Sequence, residues 1–303
     1  MKKKTLSYLY VILGAACWGF IGLFNRMLGE AGISVWNRVF IRNFISLVLL
    51  TAVFALFHRQ VFRIRLKHLP IFLAAGIISV LCLAITYFNC QMHCSLAVAG
   101  ILLYLAPSFV VLMSALLWKA PLTKRKLLAL ALSFVGCALV SGIVGGDTSV
   151  SAAGLLLGIG AGFCYATYTV FAHYGLVHYD SYTMIYWTFL VAGIGSLFFL
   201  NPTELAAAMP DSRLWLGAAG LVVIATVLPY IFYTKGLEGV ESGKASIIAN
   251  VEPVVAALTG VVFFHETLNV WTLLGVGCVL GGVILLAKGD DTCKDPKSST
   301  ASI

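Results

Sequence analysis

The apolar positions of this chain fall in ten long blocks separated by short polar stretches, at 6–28, 36–57, 69–89, 96–118, 127–144, 153–174, 182–200, 214–234, 245–264 and 270–287. About 18 apolar residues suffice for an α-helix to cross a hydrocarbon layer about 30 Å thick. Inside that layer a helix satisfies its own backbone hydrogen bonds. The pattern therefore predicts an all-α integral membrane protein with ten transmembrane helices. The first block follows Lys2, Lys3 and Lys4 as a signal peptide would, but it is long, carries Trp18, Asn25 and Arg26, and has no small-residue cleavage site. It reads as a retained first helix.

Composition agrees. Of 303 residues, 60% are apolar and 11% charged, which excludes soluble, disordered, collagen-like and disulfide-scaffold classes. The net charge of +8 does not point to a nucleic-acid partner, because the basic residues lie between the apolar blocks, where they report orientation. With a cytoplasmic N-terminus, sixteen of the 20 Lys and Arg fall on the inner side, Arg26 and Arg213 fall outside, and Arg38 and Arg42 lie within the second block. The expectation is a multi-pass protein of the cytoplasmic (plasma) membrane with both termini inside. Connections 29–35, 90–95, 145–152, 201–213 and 265–269 are then outside. Most of the eight cysteines lie in apolar blocks and read as small hydrophobes. Cys90 and Cys94 have a helical spacing that suits packing better than a disulfide or a zinc site.

Shifting the sequence by 146 positions aligns 85–140 with 231–286 without a gap, matching Tyr87 to Tyr233, Pro107 to Pro253 and Gly136 to Gly282. This divides the chain into a first repeat at 1–146, a second at 147–288 and a disordered cytoplasmic tail at 289–303. Each repeat holds five blocks, an odd number, so the second copy enters the membrane inverted. The connections agree: Lys119 to Lys126 carries four positive charges, while the matched His265 to Thr272 carries no Lys or Arg. Inverted repeats are typical of secondary transporters with a midplane site.

Five motifs, Ala16-Cys17-Trp18-Gly19, Ile41-Arg42-Asn43-Phe44, Leu105-Ala106-Pro107, Val251-Glu252-Pro253 and His265-Glu266-Thr267-Leu268, run through both halves over about residues 8–287. On these the chain resembles the EamA-type ten-helix branch of the drug/metabolite transporter superfamily. It departs where the family often has Glu before Pro-Leu-Thr; here that position is Ala120, which leaves Glu266 as a loop or helix-end group. The resemblance implies transport of small organic solutes, commonly outward, through a cavity between the halves.

Glu252 is the carboxylate expected to govern transport. It lies roughly 10 Å into its block by helical rise, and its repeat mate is the uncharged Ala106. Buried carboxylates face a cavity or a partner, so Glu252 would bind a cationic part of the solute, exchange protons, or pair statically with Arg42. Arg38, one turn before Arg42, is close enough to the boundary to snorkel, and Asn43 reads as an interhelical hydrogen-bonding residue. Trp18, Tyr87, Tyr104, Tyr165, Tyr230 and Asn250 are the other expected substrate-binding residues, on a pocket formed by helices 1, 3, 4, 6, 8 and 9; Tyr168 and Tyr233 belong to the same aromatic set. His93, His173 and His178 fall near block ends as surface imidazoles. No catalytic, phosphate-binding or cofactor motif occurs, so no catalytic residue, metal or cofactor is expected. The partners are a small-molecule substrate, the lipid bilayer and, as a candidate coupling ion, protons. The function expected is alternating-access secondary transport, by export, of a small polar or amphipathic metabolite, amino-acid-like solutes included. A passive facilitator or channel is the alternative, ahead of a lipid-acting enzyme.

Overall fold

The computed structural model describes residues 2–93, 96–140, 144, 151–265 and 270–287, and among these it contains helices and turns but no strand. The long helices in chain order are α1 (Thr5–Glu30), α2 (Val35–Phe57), α3 (Leu66–His93), α4 (Val98–Trp118), α5 (Lys124–Val140), α6 (Ala152–Leu176), α7 (Ser181–Phe199), α8 (Ser212–Leu237), α9 (Ser242–Phe264) and α10 (Val270–Ala287). Eight of them are long and apolar enough to cross a membrane. The expectation of ten is therefore met eight times by length. Helix α5 has 17 residues and begins on Lys124, Arg125 and Lys126, and the apolar stretch of α10, Val270–Leu286, is short. Both border residues outside the description, and Cys94, Glu266 and the predicted tail themselves lie outside it.

Local sequence sets the helix starts. The Ser34 hydroxyl accepts from Asn37 N at 3.4 Å, and the Asp180 carboxylate accepts from Thr183 N at 2.8 Å. Each supplies an acceptor to an otherwise orphaned first-turn N–H. The two caps are 146 positions apart. Helices α4 and α9 break at the same spacing: Ala106–Trp118 and Glu252–Phe264 both follow a short break, and both carry Pro in their first turn, where its missing N–H costs nothing. Both then end on a residue in the left-handed region, Lys119 at φ 53° and His265 at φ 55°.

The copies also pack reciprocally. A Cβ on Gly136 of α5 would stand 2.7 Å from the Gly275 carbonyl of α10, and one on Gly282 of α10 would stand 3.0 Å from the Ala129 carbonyl of α5. A larger residue would force the helices apart at Gly136 and crowd the carbonyl at Gly282. Moving along α5 from 129 to 136 runs α10 backward from 282 to 275, so these two helices are antiparallel.

Contacts between distant segments identify which connections share an end. At one end Asn37 exchanges hydrogen bonds with the Asn201 backbone, at 3.1 and 2.9 Å, and Ser34 N donates to Glu204. At the other end the Tyr179 hydroxyl accepts from Arg65 N at 2.9 Å, Trp187 donates to the Val61 carbonyl at 3.0 Å, and Ser181 donates to Glu238. This second end gathers the basic 59–67 and 119–126 connections. The core between the ends contains Phe72, Ile185, Phe189, Leu221 and Tyr230.

Candidate functional site

A cavity of about 160 Å³ opens inside the bundle. Trp18 and Asn25 face it from α1, Tyr87 from α3, Tyr104 from α4, Tyr165 from α6, Tyr230 from α8 and Glu252 from α9. Six of the seven expected substrate-binding residues are thus brought together across both repeats. Helix α2 also contributes, through Arg38, Arg42 and Asn43, although the expected pocket omitted that helix. The available signal was the pair of arginines one turn apart in an apolar block. Asn25 and Arg38 flank the turn between α1 and α2, so the cavity extends from the helix breaks toward the end that holds Ser34 and Glu204.

Aromatic packing fixes the floor. Trp18 meets Tyr165 edge-on at 6.1 Å between ring centroids and Tyr230 edge-on at 5.6 Å; Tyr230 is braced by Tyr168 and Phe189, each at 4.9 Å. Such T-shaped contacts add to the area buried and hold the rings at set angles. Tyr168 bonds Thr234 at 2.6 Å and Tyr233 bonds Thr169 at 2.9 Å. Their hydroxyls are therefore engaged in the α6–α8 contact.

Asn250 departs from expectation. It lines a separate cavity of about 20 Å³ that shares Trp18, Tyr165 and Tyr230 as walls. That volume suits about one water. Its side chain is 4% exposed and its Nδ2 has no hydrogen-bond partner. Tyr104 and Asn250, repeat mates in sequence, thus face different spaces.

The charged groups meet differently from the expected static pair. Glu252 Oε2 accepts a hydrogen bond from the Tyr165 hydroxyl at 3.1 Å. Arg42 lines the same cavity but makes no ion pair with it; its Nε is buried without a hydrogen-bond partner. The Oδ1 of Asn43 is also without a partner, so Asn43 does not make the interhelical bond expected of it through that atom. Both residues lie in a π-helical turn, Ile41–Ile45, of the kind often found at functional sites. Arg38 does not snorkel free: its Nε donates to the Ile33 carbonyl at 2.9 Å.

The histidines and cysteines stand apart. His173 is half-buried and stacks on Trp118 at 4.1 Å, so it is not the surface imidazole expected; His178, stacked on His68 at 4.3 Å, and His93 are both exposed, as expected. Cys90 donates to the Gly154 carbonyl at 3.3 Å, and no metal-holding group of side chains occurs among the described residues.

The sequence matches the EamA-like transporter family twice, over residues 5–142 and 152–288. An "uncharacterized transporter" of Archaeoglobus fulgidus is 30% identical over 275 residues, covering 91% of this chain and 94% of its own. The "uncharacterized inner membrane transporter YicL" of Salmonella typhimurium is 27% identical, covering 95% and 97%. A solved structure titled only as the crystal structure of a protein superposes with a TM-score of 0.78 at 15% identity, over 92% of this chain and 96% of its own. That likeness concerns the fold.

Proposed function

The chain belongs to the EamA-like transporter family, and we propose that it is a secondary transporter carrying a small polar or amphipathic metabolite by alternating access across the cytoplasmic membrane. One observation carries this reading: a single cavity, walled by both family-matching segments, collects Trp18, four tyrosines, Asn25, Arg42 and Glu252. An apolar pocket with a few convergent polar groups is the usual form of an organic-solute site.

The mechanism needs two halves that rock around this site. We take these as 1–146 and 147–288, two inverted five-helix repeats giving ten spans. Support comes from helix breaks and caps recurring at a spacing of 146 and from the antiparallel packing of α5 on α10. Gathering of the basic connections at one end supports cytoplasmic termini under the positive-inside rule. The family resemblance favours export. Glu252 is the ionisable group that would couple transport to protons or to a cationic part of the solute, and Trp18, Tyr87, Tyr104, Tyr165 and Tyr230 would hold the solute body, with Asn250 in the adjoining space.

Counterflow tests the reading. Purified protein in liposomes preloaded with an unlabelled candidate should transiently accumulate the labelled one above equilibrium. Simple equilibration without overshoot would favour a channel or passive pore.

A further inference from the structure

On the reading of the cavity as a solute site, its charge and size narrow the solute class. Among the described residues lining it, Arg38 and Arg42 stand against one carboxylate, Glu252. That carboxylate has a hydrogen bond from Tyr165. Arg38 is partly occupied, with its Nε on the Ile33 carbonyl and Glu204 near enough to act on its charge. Its guanidinium lies where Gly29 leaves room, since a Cβ there would stand 2.9 Å from Nη2. Among the described residues Arg42 has no ion-pair partner, Glu252 acting on its charge only from beyond ion-pair distance, and its buried Nε is unpartnered. An unpaired guanidinium within a bilayer is costly, and a bidentate carboxylate is the partner that best fits its planar fork.

We infer that Arg42 seats a carboxylate of the transported solute, with Arg38 at the cavity mouth drawing the anion in. The solute is therefore a small organic acid, with or without an amino group. Its size follows from the cavity: about 160 Å³ is close to the roughly 150 Å³ that encloses a benzene ring. That suits a body about the size of a benzene ring. The aromatic walls favour an apolar body behind the carboxylate.

Three matched probes test this: phenylacetate, phenethylamine and 2-phenylethanol, titrated against the full-length protein in detergent with thermal stabilisation as the readout. Phenylacetate should bind, and the other two should bind at least about tenfold more weakly, the loss expected for one charge-assisted hydrogen-bonded contact. Arg42→Gln should remove the preference, and Arg42→Lys should restore part of it. Arg38→Gln should weaken the rise in affinity at low salt. Equal binding of the amine or the alcohol, failure of all three to bind at about 10 mM, or an unchanged preference in Arg42→Gln would each overturn the inference. Should Arg42→Gln fail to fold, the probe ranking and the Arg38→Gln salt dependence still decide it. Counterflow of another solute without carboxylate binding would remove this inference and spare the transport reading; carboxylate binding without counterflow would do the reverse.

Discussion

Lys126 and Glu241, 115 positions apart, form a part-buried ion pair at the end of the bundle opposite the cavity mouth. The ammonium also donates to the Pro121 carbonyl at 2.7 Å, and Lys126 is only 2% exposed. The pair joins the start of α5 to the start of α9, and so one matched segment to the other. Its repeat mates are Thr272 and Ser95, which carry no charge, so the duplicated fold does not require it.

Breaking one partner leaves a buried charge. Glu241→Gln should therefore destabilise the protein by about 3–5 kcal/mol, whereas replacing both with apolar residues should cost far less. A thermal double-mutant cycle in detergent measures this. If the pair also seals that end, Ser246→Cys, on the wall of the small cavity, should react with a hydrophilic maleimide faster in the Glu241→Gln background.

Glu252→Gln keeps the size of the side chain and removes its charge. Transport should fall at least about tenfold or lose its pH dependence, while the protein inserts and stays monodisperse. Normal transport across pH would leave the carboxylate without a role. Tyr165→Phe, which removes its hydrogen-bond donor, should alter the same pH profile without abolishing transport.

Asn250→Leu removes a buried amide with an unpartnered Nδ2. Stability should hold or rise by up to about 1–3 kcal/mol, the cost of such a group, while solute affinity weakens. Thermal unfolding and counterflow, run on the same preparation, separate the two effects.

Orientation can be read from two exposed positions. Thr203→Cys, at the end that holds Asn37 and Asn201, should label in intact cells. Gln60→Cys, in the basic connection, should label only after permeabilisation. The reverse pattern would invert the topology.

Glu204 ties the turn between α1 and α2 to the helix Pro202–Ala208. Burial opposes its charge, but hydrogen bonds from Asn37 and Ser34 and the Arg38 guanidinium outweigh this and hold it below the ordinary glutamate value of 4.5. Its contribution to stability is thus complete above that value and is lost as pH falls through the lower folded one. Glu204→Gln should flatten the acid limb of a stability-versus-pH curve below about pH 4.5.

Run length and periodic matching along the sequence determined much of the helix layout of this protein. The ten apolar blocks predicted helix positions closely because a segment that faces lipid must satisfy its backbone within itself. The matched prolines at 107 and 253 sit in the first turn after each helix break, where a missing N–H is tolerated. The list of cavity residues was largely legible for a related reason: polar and charged groups in apolar segments are costly unless they face a cavity or a partner. What only the tertiary structure decided was how the helices rotate and cross. Sequence gave Tyr104 and Asn250 equivalent places, yet packing turned them to different spaces; α2 presented Arg42 to the cavity, and Glu252 took its hydrogen bond from Tyr165 rather than an ion pair from Arg42. The joining of Lys126 to Glu241 was likewise illegible, because neither residue's neighbours in sequence specify a contact made by ridges and grooves on separate helices.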